Sequence, residues 1–324
     1  MKILIIGGAG MVGQKLVQRL AIDGHLGEQA VSGITLFDVI EARVPESTCP
    51  VNVSTGDLSD RSTAAALVSD RPDVIFHLAA VVSGEAEADF EKGYRINLDG
   101  TRFLLDAICA ADDYCPRVVF TSSIAVFGAP YPKAIGDEFF TTPLTSYGTQ
   151  KAIGELLLSD FTRRGMLDGI GIRLPTICVR PGRPNKAASG FFSNIIREPL
   201  AGAEAVLPVS EDVRHWHASP RSAVGFLLRA ATIESAEVGT RRNLTMPGIS
   251  VTVGEQIAAL RSVAGDKVVA RIRSEIDEDI VRMVDGWPRN FNPERATKLG
   301  FEADKSFEEI IRVHLEDELG GNIS

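Results

Sequence analysis

A glycine-rich segment directly after a short aliphatic run constrains the fold of this chain most. Residues 3–6 are aliphatic and lead into Gly7-Gly8-Ala9-Gly10-Met11-Val12-Gly13. Glycines at positions 7, 10 and 13 allow a tight turn from strand to helix, a close backbone approach to a pyrophosphate, and close packing of the helix on the strand. The free N–H groups at the start of such a helix favour a phosphate. The segment therefore predicts a dinucleotide-binding turn.

Asp38 adds a second contact for the same ligand. It follows the next aliphatic run, residues 34–37. A carboxylate at the end of the second strand can accept hydrogen bonds from an adenosine ribose. The same carboxylate would repel the 2′-phosphate of NADP. No arginine that could bind such a phosphate follows directly, and the nearest one is Arg43. The pattern favours NAD over NADP.

Short aliphatic runs alternate with helical patterns through the first half of the chain. This alternation predicts an α/β fold of Rossmann type, a doubly wound parallel sheet, over residues 1–175. Beyond residue 175, prolines and arginines become frequent. We expect residues 176–324 to form mainly a smaller C-terminal substrate-binding domain, with some segments returning to the sheet. The predicted strands are 3–6, 34–37, 51–53, 74–78, 118–121 and 169–174, and the predicted helices are 11–22, 62–69, 89–110 and 147–161.

Charge and composition exclude several classes of protein. The 34 Lys and Arg against 43 Asp and Glu give a net charge of −9, which argues against a nucleic-acid-binding protein. No run approaches the roughly 18 apolar residues of a membrane span. The N-terminus leads straight into the glycine segment without a cleavage site for a signal peptide, so we expect a cytoplasmic protein. The chain has four cysteines, Cys49, Cys109, Cys115 and Cys178. Their spacing matches neither a metal site nor a disulfide framework, so we predict neither.

Tyr147 and Lys151 form the first candidate catalytic pair. They stand four residues apart at the start of a predicted helix, so their side chains share one face. An ammonium near a phenol lowers the tyrosine pKa, which predicts a base able to take a proton from a substrate hydroxyl as hydride leaves. Ser123 ends a predicted strand at the edge where ligands gather in parallel sheets. We expect its hydroxyl to bond the reacting oxygen.

Together these features resemble the extended short-chain dehydrogenase/reductase superfamily. The resemblance also includes Gly56-Asp57-Leu58, His77-Leu78-Ala79-Ala80, Asn97-Leu98-Asp99-Gly100-Thr101 and a late segment at residues 296–301. It implies Ser123, Tyr147 and Lys151 as catalytic residues. It implies NAD binding by Gly7, Gly10, Met11, Val12, Gly13, Asp38, Asp57, Leu58, Leu78, Ala79, Ala80, Asn97, Tyr147, Lys151 and Pro175.

Within this superfamily the chain is most similar to NAD-dependent dehydrogenases that oxidise the C2 hydroxyl of a four-carbon sugar acid. The similarity lies in residues 80–87, 173–182, 189–194 and 286–289. It implies a substrate site containing Ser83, Ser123 and Tyr147. A guanidinium fork suits a carboxylate, so we expect Arg180 or Arg183 to hold the acid group.

The sequence departs from relatives that act on nucleotide sugars. Ile124-Ala125 stands where dehydratases of the superfamily carry Asp-Glu, and the segment from Pro175 to Gly182 lacks their N-x-Y-G-P pattern. An NAD-dependent nucleotide-sugar epimerase remains the alternative. It would use the same tyrosine but return the hydride to its substrate, so it would produce no net NADH. A non-catalytic NAD sensor is disfavoured by the intact Ser123, Tyr147 and Lys151.

Two helical patterns suggest a homodimer. Residues 89–110 and 147–161 would lie side by side on one face of the sheet. In members of the superfamily such a pair forms a four-helix interface with a second subunit.

Overall fold

A seven-stranded parallel sheet forms the centre of the computed structural model, which describes residues 1–182 and 189–324. Its strands are, along the chain, β1 (Lys2–Ile6), β2 (Gly33–Asp38), β3 (Val51–Thr55), β4 (Val74–His77), β5 (Arg117–Ser123), β6 (Asp168–Leu174) and β7 (Asn243–Thr245). Across the sheet their order is β3-β2-β1-β4-β5-β6-β7, the Rossmann order with one strand added at the edge. This confirms the predicted fold class.

Both faces of the sheet are buried, which explains its continuous aliphatic strands. Ile3 and Ile5 of β1 pack in an apolar cluster with helix Met11–Asp23. Leu4 points to the opposite face and packs in a second cluster with helix Gly100–Cys109. Successive residues of one strand thus pack against helices on opposite faces of the sheet. Because the strands are parallel, their carboxyl ends all lie at one edge of the sheet.

The segment predicted as one helix over residues 89–110 contains a different kind of turn. A π-helix, Tyr94–Asp99, lies between the α-helices Phe90–Gly93 and Gly100–Cys109. Its wider turn carries Asn97, whose side chain bonds residues outside the helix. Apolar periodicity cannot reveal such a local change of winding, and π-turns are frequent at functional sites.

The second half of the chain contributes to both the main sheet and a separate apolar cluster. β7 pairs with β6, and helix Pro220–Thr232 contributes to the same cluster as helix Met11–Asp23. The separate cluster is built largely on helices Gly190–Leu200, Val253–Ala264 and Phe307–Leu319. The division near residue 175 stays a prediction. A three-stranded sheet contains Thr176–Ile177, Arg214–Ala218 and Ile249–Thr252. Three two-stranded sheets pair Ala205–Leu207 with Ile272–Ser274, Ile135–Gly136 with Phe291–Asn292, and His25–Leu26 with Gln29–Ala30.

The remaining helices complete the two faces of the sheet and the second half. They are Arg61–Ser69, Ser83–Ala88, the 3-10 turn Ile124–Val126, Ser146–Arg163, Ser235–Val238, Asp266–Val269, Glu278–Asp285 and Glu294–Lys298. Within the described residues, no helix has the length and apolar character to cross a bilayer. Nor does this part of the chain group three His, Cys, Asp or Glu side chains as metal ligands.

Buried histidines make the stability of this fold sensitive to acid. Burial lowers the pKa of His77 to about 3 and that of His215 to about 4, whereas an unfolded histidine titrates at about 6.5. The unfolded chain therefore binds protons that the folded chain excludes. This contribution to stability is complete above pH 6.5 and is lost as the pH falls toward the folded pKa values, by on the order of 1 kcal/mol per pH unit for each histidine.

We accordingly expect a lower Tm at about pH 5 than at about pH 7.5, measured by thermal unfolding. His25 is exposed, so the His25→Gln variant is the matched control and should show the same difference. A Tm that does not change between the two pH values would contradict the assignment of these histidines as buried and neutral.

Candidate active site

The glycine turn after β1 is fixed by contacts with two neighbouring strands. Gly7 has φ +92°, and its N–H donates to the Phe37 carbonyl at 2.8 Å. A Cβ at Gly7 would lie 2.6 Å from the amide nitrogen of Ala79, and a Cβ at Gly13 would lie 2.3 Å from the carbonyl oxygen of Gly7. Only glycine fits at these two positions. The helix that begins at Met11 therefore presents its first N–H groups close to the sheet edge, where a pyrophosphate can approach them.

Asp38 lies against this turn. Its Oδ2 accepts a hydrogen bond from the Ala9 N–H at 2.9 Å, and its Oδ1 accepts one from the Val39 N–H at 2.7 Å. These bonds hold the carboxylate where the second strand ends, with acceptor capacity left for a ribose. The placement agrees with a preference for NAD over NADP.

Asp57 and Leu58 follow β3, on the far side of β2. Asp57 accepts hydrogen bonds from the Ser59 N–H at 2.9 Å and from Nη1 of Arg95 at 2.6 Å. Leu58 is buried in the cluster below the sheet edge. These contacts fix the loop that the resemblance assigns to adenine.

Asn97 secures the loop after β4 rather than offering a free amide. Its Oδ1 accepts from the Val81 N–H at 2.8 Å, and its Nδ2 donates to the Val81 carbonyl at 3.1 Å and to Oε1 of Gln150 at 2.7 Å. Both amide hydrogens are thus used, and the residue is buried. We interpret Asn97 as holding residues 78–82 in place, and a direct contact with NAD stays a prediction.

Tyr147 and Lys151 lie on helix Ser146–Arg163 at the end of β5. The Lys151 Nζ donates to the Thr121 carbonyl at 2.7 Å and lies 5.8 Å from the centre of the Tyr147 ring. Ser123 sits beside them, and its Oγ accepts from the Ala125 N–H at 3.1 Å. The structure therefore brings the three predicted catalytic residues together.

The cation that influences the pKa of Tyr147 is not Lys151, the residue expected from the sequence spacing. Burial raises the pKa of Tyr147 to about 12, and the charge of Arg180 and a hydrogen bond with Ser123 lower it in part. Burial also lowers the pKa of Lys151 to about 7, against the opposing effect of Glu155. That Tyr147 acts as a base stays a prediction, whereas the cation that lowers its pKa is Arg180 rather than Lys151. Burial dominates, and Arg180 is the cation that opposes it.

Glu155 was missed by the sequence analysis. It accepts a hydrogen bond from the Ser122 hydroxyl and pairs with Arg173, whose Nε and Nη2 lie 2.9 and 2.7 Å from its oxygens. Glu155 stands one turn beyond Lys151 on the same helix face, a spacing that could have indicated it. This buried ion pair ties the helix to β5 and β6 directly below the catalytic residues.

Arg180 is part-buried and has no acidic partner among the described residues. Its Nε donates to the Ile177 carbonyl at 3.0 Å and its Nη2 donates to the Ser189 hydroxyl at 2.8 Å, whereas Nη1 donates to no described residue. Arg197 pairs instead with Glu198, and its Nη1 holds the Arg180 carbonyl at 2.8 Å. Arg180 is thus a fixed cation whose Nη1 has no hydrogen-bond acceptor among residues 1–182 and 189–324. Arg183, the other candidate for the acid group, lies outside the described residues.

A cavity of about 310 Å³ joins these groups. No aspartate or glutamate is found among its described lining residues, whereas Lys151, Arg180 and Arg197 line it. Helix Gly190–Leu200 also begins at this cavity, and the N-terminus of a helix adds positive potential. The cavity is therefore suited to an anion. The predicted site residues that line it are Met11, Val12, Leu78, Ala80, Ser83, Tyr147, Lys151, Pro175 and Arg180.

Residues 3–228 match the NAD dependent epimerase/dehydratase family, and the chain belongs to this family. It is 46% identical over 321 residues to D-erythronate dehydrogenase of Cupriavidus necator, covering 98% of each protein. It is 40% identical over 316 residues to D-erythronate dehydrogenase of Haemophilus influenzae, covering 98% of this chain and 99% of that protein. A crystal structure described as the nucleoside-diphosphate-sugar epimerase from Agrobacterium tumefaciens is 66% identical, with a TM-score of 0.98, and covers 100% of this chain and 96% of that one.

The family and the site agree on the cofactor. The close approach at Gly7 and Gly13, the carboxylate of Asp38 and the cavity beside Tyr147 fit the pyrophosphate, ribose and nicotinamide portions of NAD. The chain is an NAD-dependent oxidoreductase.

Proposed function

We propose that this protein oxidises the C2 hydroxyl of a four-carbon sugar acid, D-erythronate, to 2-dehydro-D-erythronate. The observation that carries the proposal is Arg180, a part-buried cation whose Nη1 has no acceptor among the described residues, in a cavity that Tyr147 also lines. A carboxylate is the natural partner of such a guanidinium. The two relatives named D-erythronate dehydrogenase support this choice of acid.

The chain's own residues account for binding and proton transfer. Arg180 and the N-terminus of helix Gly190–Leu200 hold the substrate carboxylate. Tyr147 accepts the proton of the C2 hydroxyl, and Ser123 bonds the same oxygen as its negative charge develops. When bound, the nicotinamide ring supplies the hydride acceptor. The C2–H bond breaks with its electron pair, the oxygen loses its proton to Tyr147, and a 2-keto acid results.

The positive charge of Arg180 favours the reactive, deprotonated form of Tyr147. A phenol must lose its own proton before it can act as a base, and nearby cations favour the phenolate. Arg180 acts in this direction on Tyr147. Lys151, fixed on the Thr121 carbonyl, is assigned to the nicotinamide ribose by the resemblance. In this proposal one arginine both binds the acid and lowers the pKa of the base.

A nucleotide-sugar epimerase is the second candidate, because the relative from Agrobacterium tumefaciens carries that description. Both functions require the same tyrosine and the same cofactor. They differ in the fate of the hydride, which an epimerase returns to its substrate. Net formation of NADH therefore separates them.

The test is NADH formation by the purified protein with NAD and a panel of four-carbon sugar acids, with UDP-sugars measured in parallel. We expect NADH with D-erythronate and none with UDP-sugars. NADP in place of NAD is a control and should support little turnover, because Asp38 would repel a 2′-phosphate. No NADH from any acid, together with interconversion of a UDP-sugar, would overturn the proposal in favour of the epimerase.

We also propose that two copies associate through the helices around residues 90–109 and 146–163. Phe90 is 59% exposed and Leu156 is 69% exposed, so each helix carries a large apolar side chain that the single chain leaves uncovered. Sedimentation equilibrium should give twice the chain mass. Leu156→Glu should return the mass to that of one chain, and a monomeric wild-type protein would refute the association.

A further inference from the structure

A second, smaller cavity of about 100 Å³ adjoins the central one. Ser83 and Ser189 line both cavities, so the two spaces share a boundary. The small cavity has no charged side chain among its described lining residues, and Phe127, Leu144 and Trp287 give it apolar walls. Placing a carboxylate here would carry a large desolvation cost. The acid group therefore belongs at Arg180, and an uncharged part of the substrate belongs in the small cavity.

One side of this cavity carries an oriented hydrogen-bond pair. His215 is buried and stacks on Phe192, with ring centres 5.2 Å apart and planes 3° from parallel. Its Nδ1 lies 3.0 Å from the Pro288 carbonyl, and its Nε2 lies 2.7 Å from Oγ1 of Thr176. Stacking and hydrogen bonds at both ring nitrogens hold the imidazole in a single orientation.

The direction of these hydrogen bonds follows from the partners. A carbonyl oxygen can only accept, so Nδ1 of His215 carries the proton. Burial keeps this imidazole neutral, since its pKa is lowered to about 4. Nε2 is then an acceptor, and the Thr176 hydroxyl must donate its single hydrogen to it. Thr176 is left with lone pairs only, and it lines the small cavity.

We infer that the small cavity is the subsite for the tail of the acid, where Thr176 accepts a hydrogen bond from a substrate hydroxyl beyond C2. His215 is a positioning residue, because it fixes Thr176 as an acceptor. Trp287 forms an apolar wall of the cavity and limits the length of the tail. The inference rests on the proposed function, and it adds how the enzyme recognises a hydroxylated chain rather than any 2-hydroxy acid.

The experiment compares kcat/KM for D-erythronate with kcat/KM for its 3-deoxy and 4-deoxy analogues of the same C2 configuration. Thr176→Val keeps the shape of the side chain and removes the acceptor. We expect it to lower kcat/KM for D-erythronate about 10-fold and to leave one deoxy analogue unaffected, because that analogue lacks the hydroxyl in question. Thr176→Ser retains the acceptor and should remain within about 2-fold of the wild type.

His215→Phe tests the positioning role, since it keeps an aromatic ring on Phe192 and removes both nitrogens. We expect the same selective loss on D-erythronate, and little further loss when it is combined with Thr176→Val. A uniform loss on all three acids, or no loss, would overturn the subsite while leaving the proposed function intact. If the wild-type protein forms no NADH from any of the three acids, the proposed function fails and the subsite with it.

Discussion

Replacing Tyr147 by phenylalanine is expected to lower kcat for the acid by about 10²- to 10⁴-fold. The change removes one oxygen, the group that would accept the C2 hydroxyl proton, and keeps the ring beside Lys151. The glycine turn and Asp38 lie elsewhere, so the Kd for NAD should stay within about 2-fold. The measurements are steady-state kinetics with D-erythronate and a binding titration with NAD.

Tyr94→Phe is the matched control. Tyr94 lies in the π-helix, and its hydroxyl makes no hydrogen bond with a described residue. This variant should keep wild-type kcat. Equal losses of NAD binding and of turnover in Tyr147→Phe would show that Tyr147 supports the fold of the site rather than the chemistry.

The second large effect is expected from Arg180→Gln. Removal of the cation should lower kcat/KM for the acid on the order of 100- to 1,000-fold, because the charge partner of the carboxylate is lost. Arg180 also lowers the pKa of Tyr147, so its removal should shift the pH–activity profile to higher pH. The readouts are kcat/KM over a range of pH and the Kd for NADH.

Arg180→Lys keeps the charge without the planar fork and should fall between the wild type and Arg180→Gln. Arg214→Gln is the surface control, since Arg214 is part-exposed and pairs with Glu255. It should leave both measurements unchanged. A loss in Arg180→Gln with no shift of the pH profile would separate the binding role of Arg180 from its effect on Tyr147.

The fold could be predicted from the sequence because its signals are local. Aliphatic strands covered on both faces leave a continuous pattern, and the glycine turn excludes other residues at Gly7 and Gly13 by contact distances below 3 Å. Asp38 and the Tyr147–Lys151 pair occupy fixed positions relative to predicted elements. Such features require no knowledge of which distant segments meet.

The chemistry of the pocket depends on contacts between segments far apart in the chain. Arg180, whose charge acts on Tyr147, lies 33 positions after it in the sequence. The hydrogen-bonded pair Thr176 and His215 is separated by 39 positions. No periodicity or spacing indicates that these residues meet. The cation that acts on the Tyr147 pKa could not be predicted for the same reason, because burial and the approach of Arg180 are properties of the assembled fold.

The return of the chain to its first sheet has a consequence for how this protein folds. β6 is completed only when β7 arrives from residue 243, and the apolar face beside Ile170 and Ile172 is shared with helix Pro220–Thr232. A chain cut near residue 182 would expose an unpaired strand edge and that apolar face, which are conditions that favour aggregation. The central sheet and one of its apolar faces are therefore complete only when residues up to 245 are present.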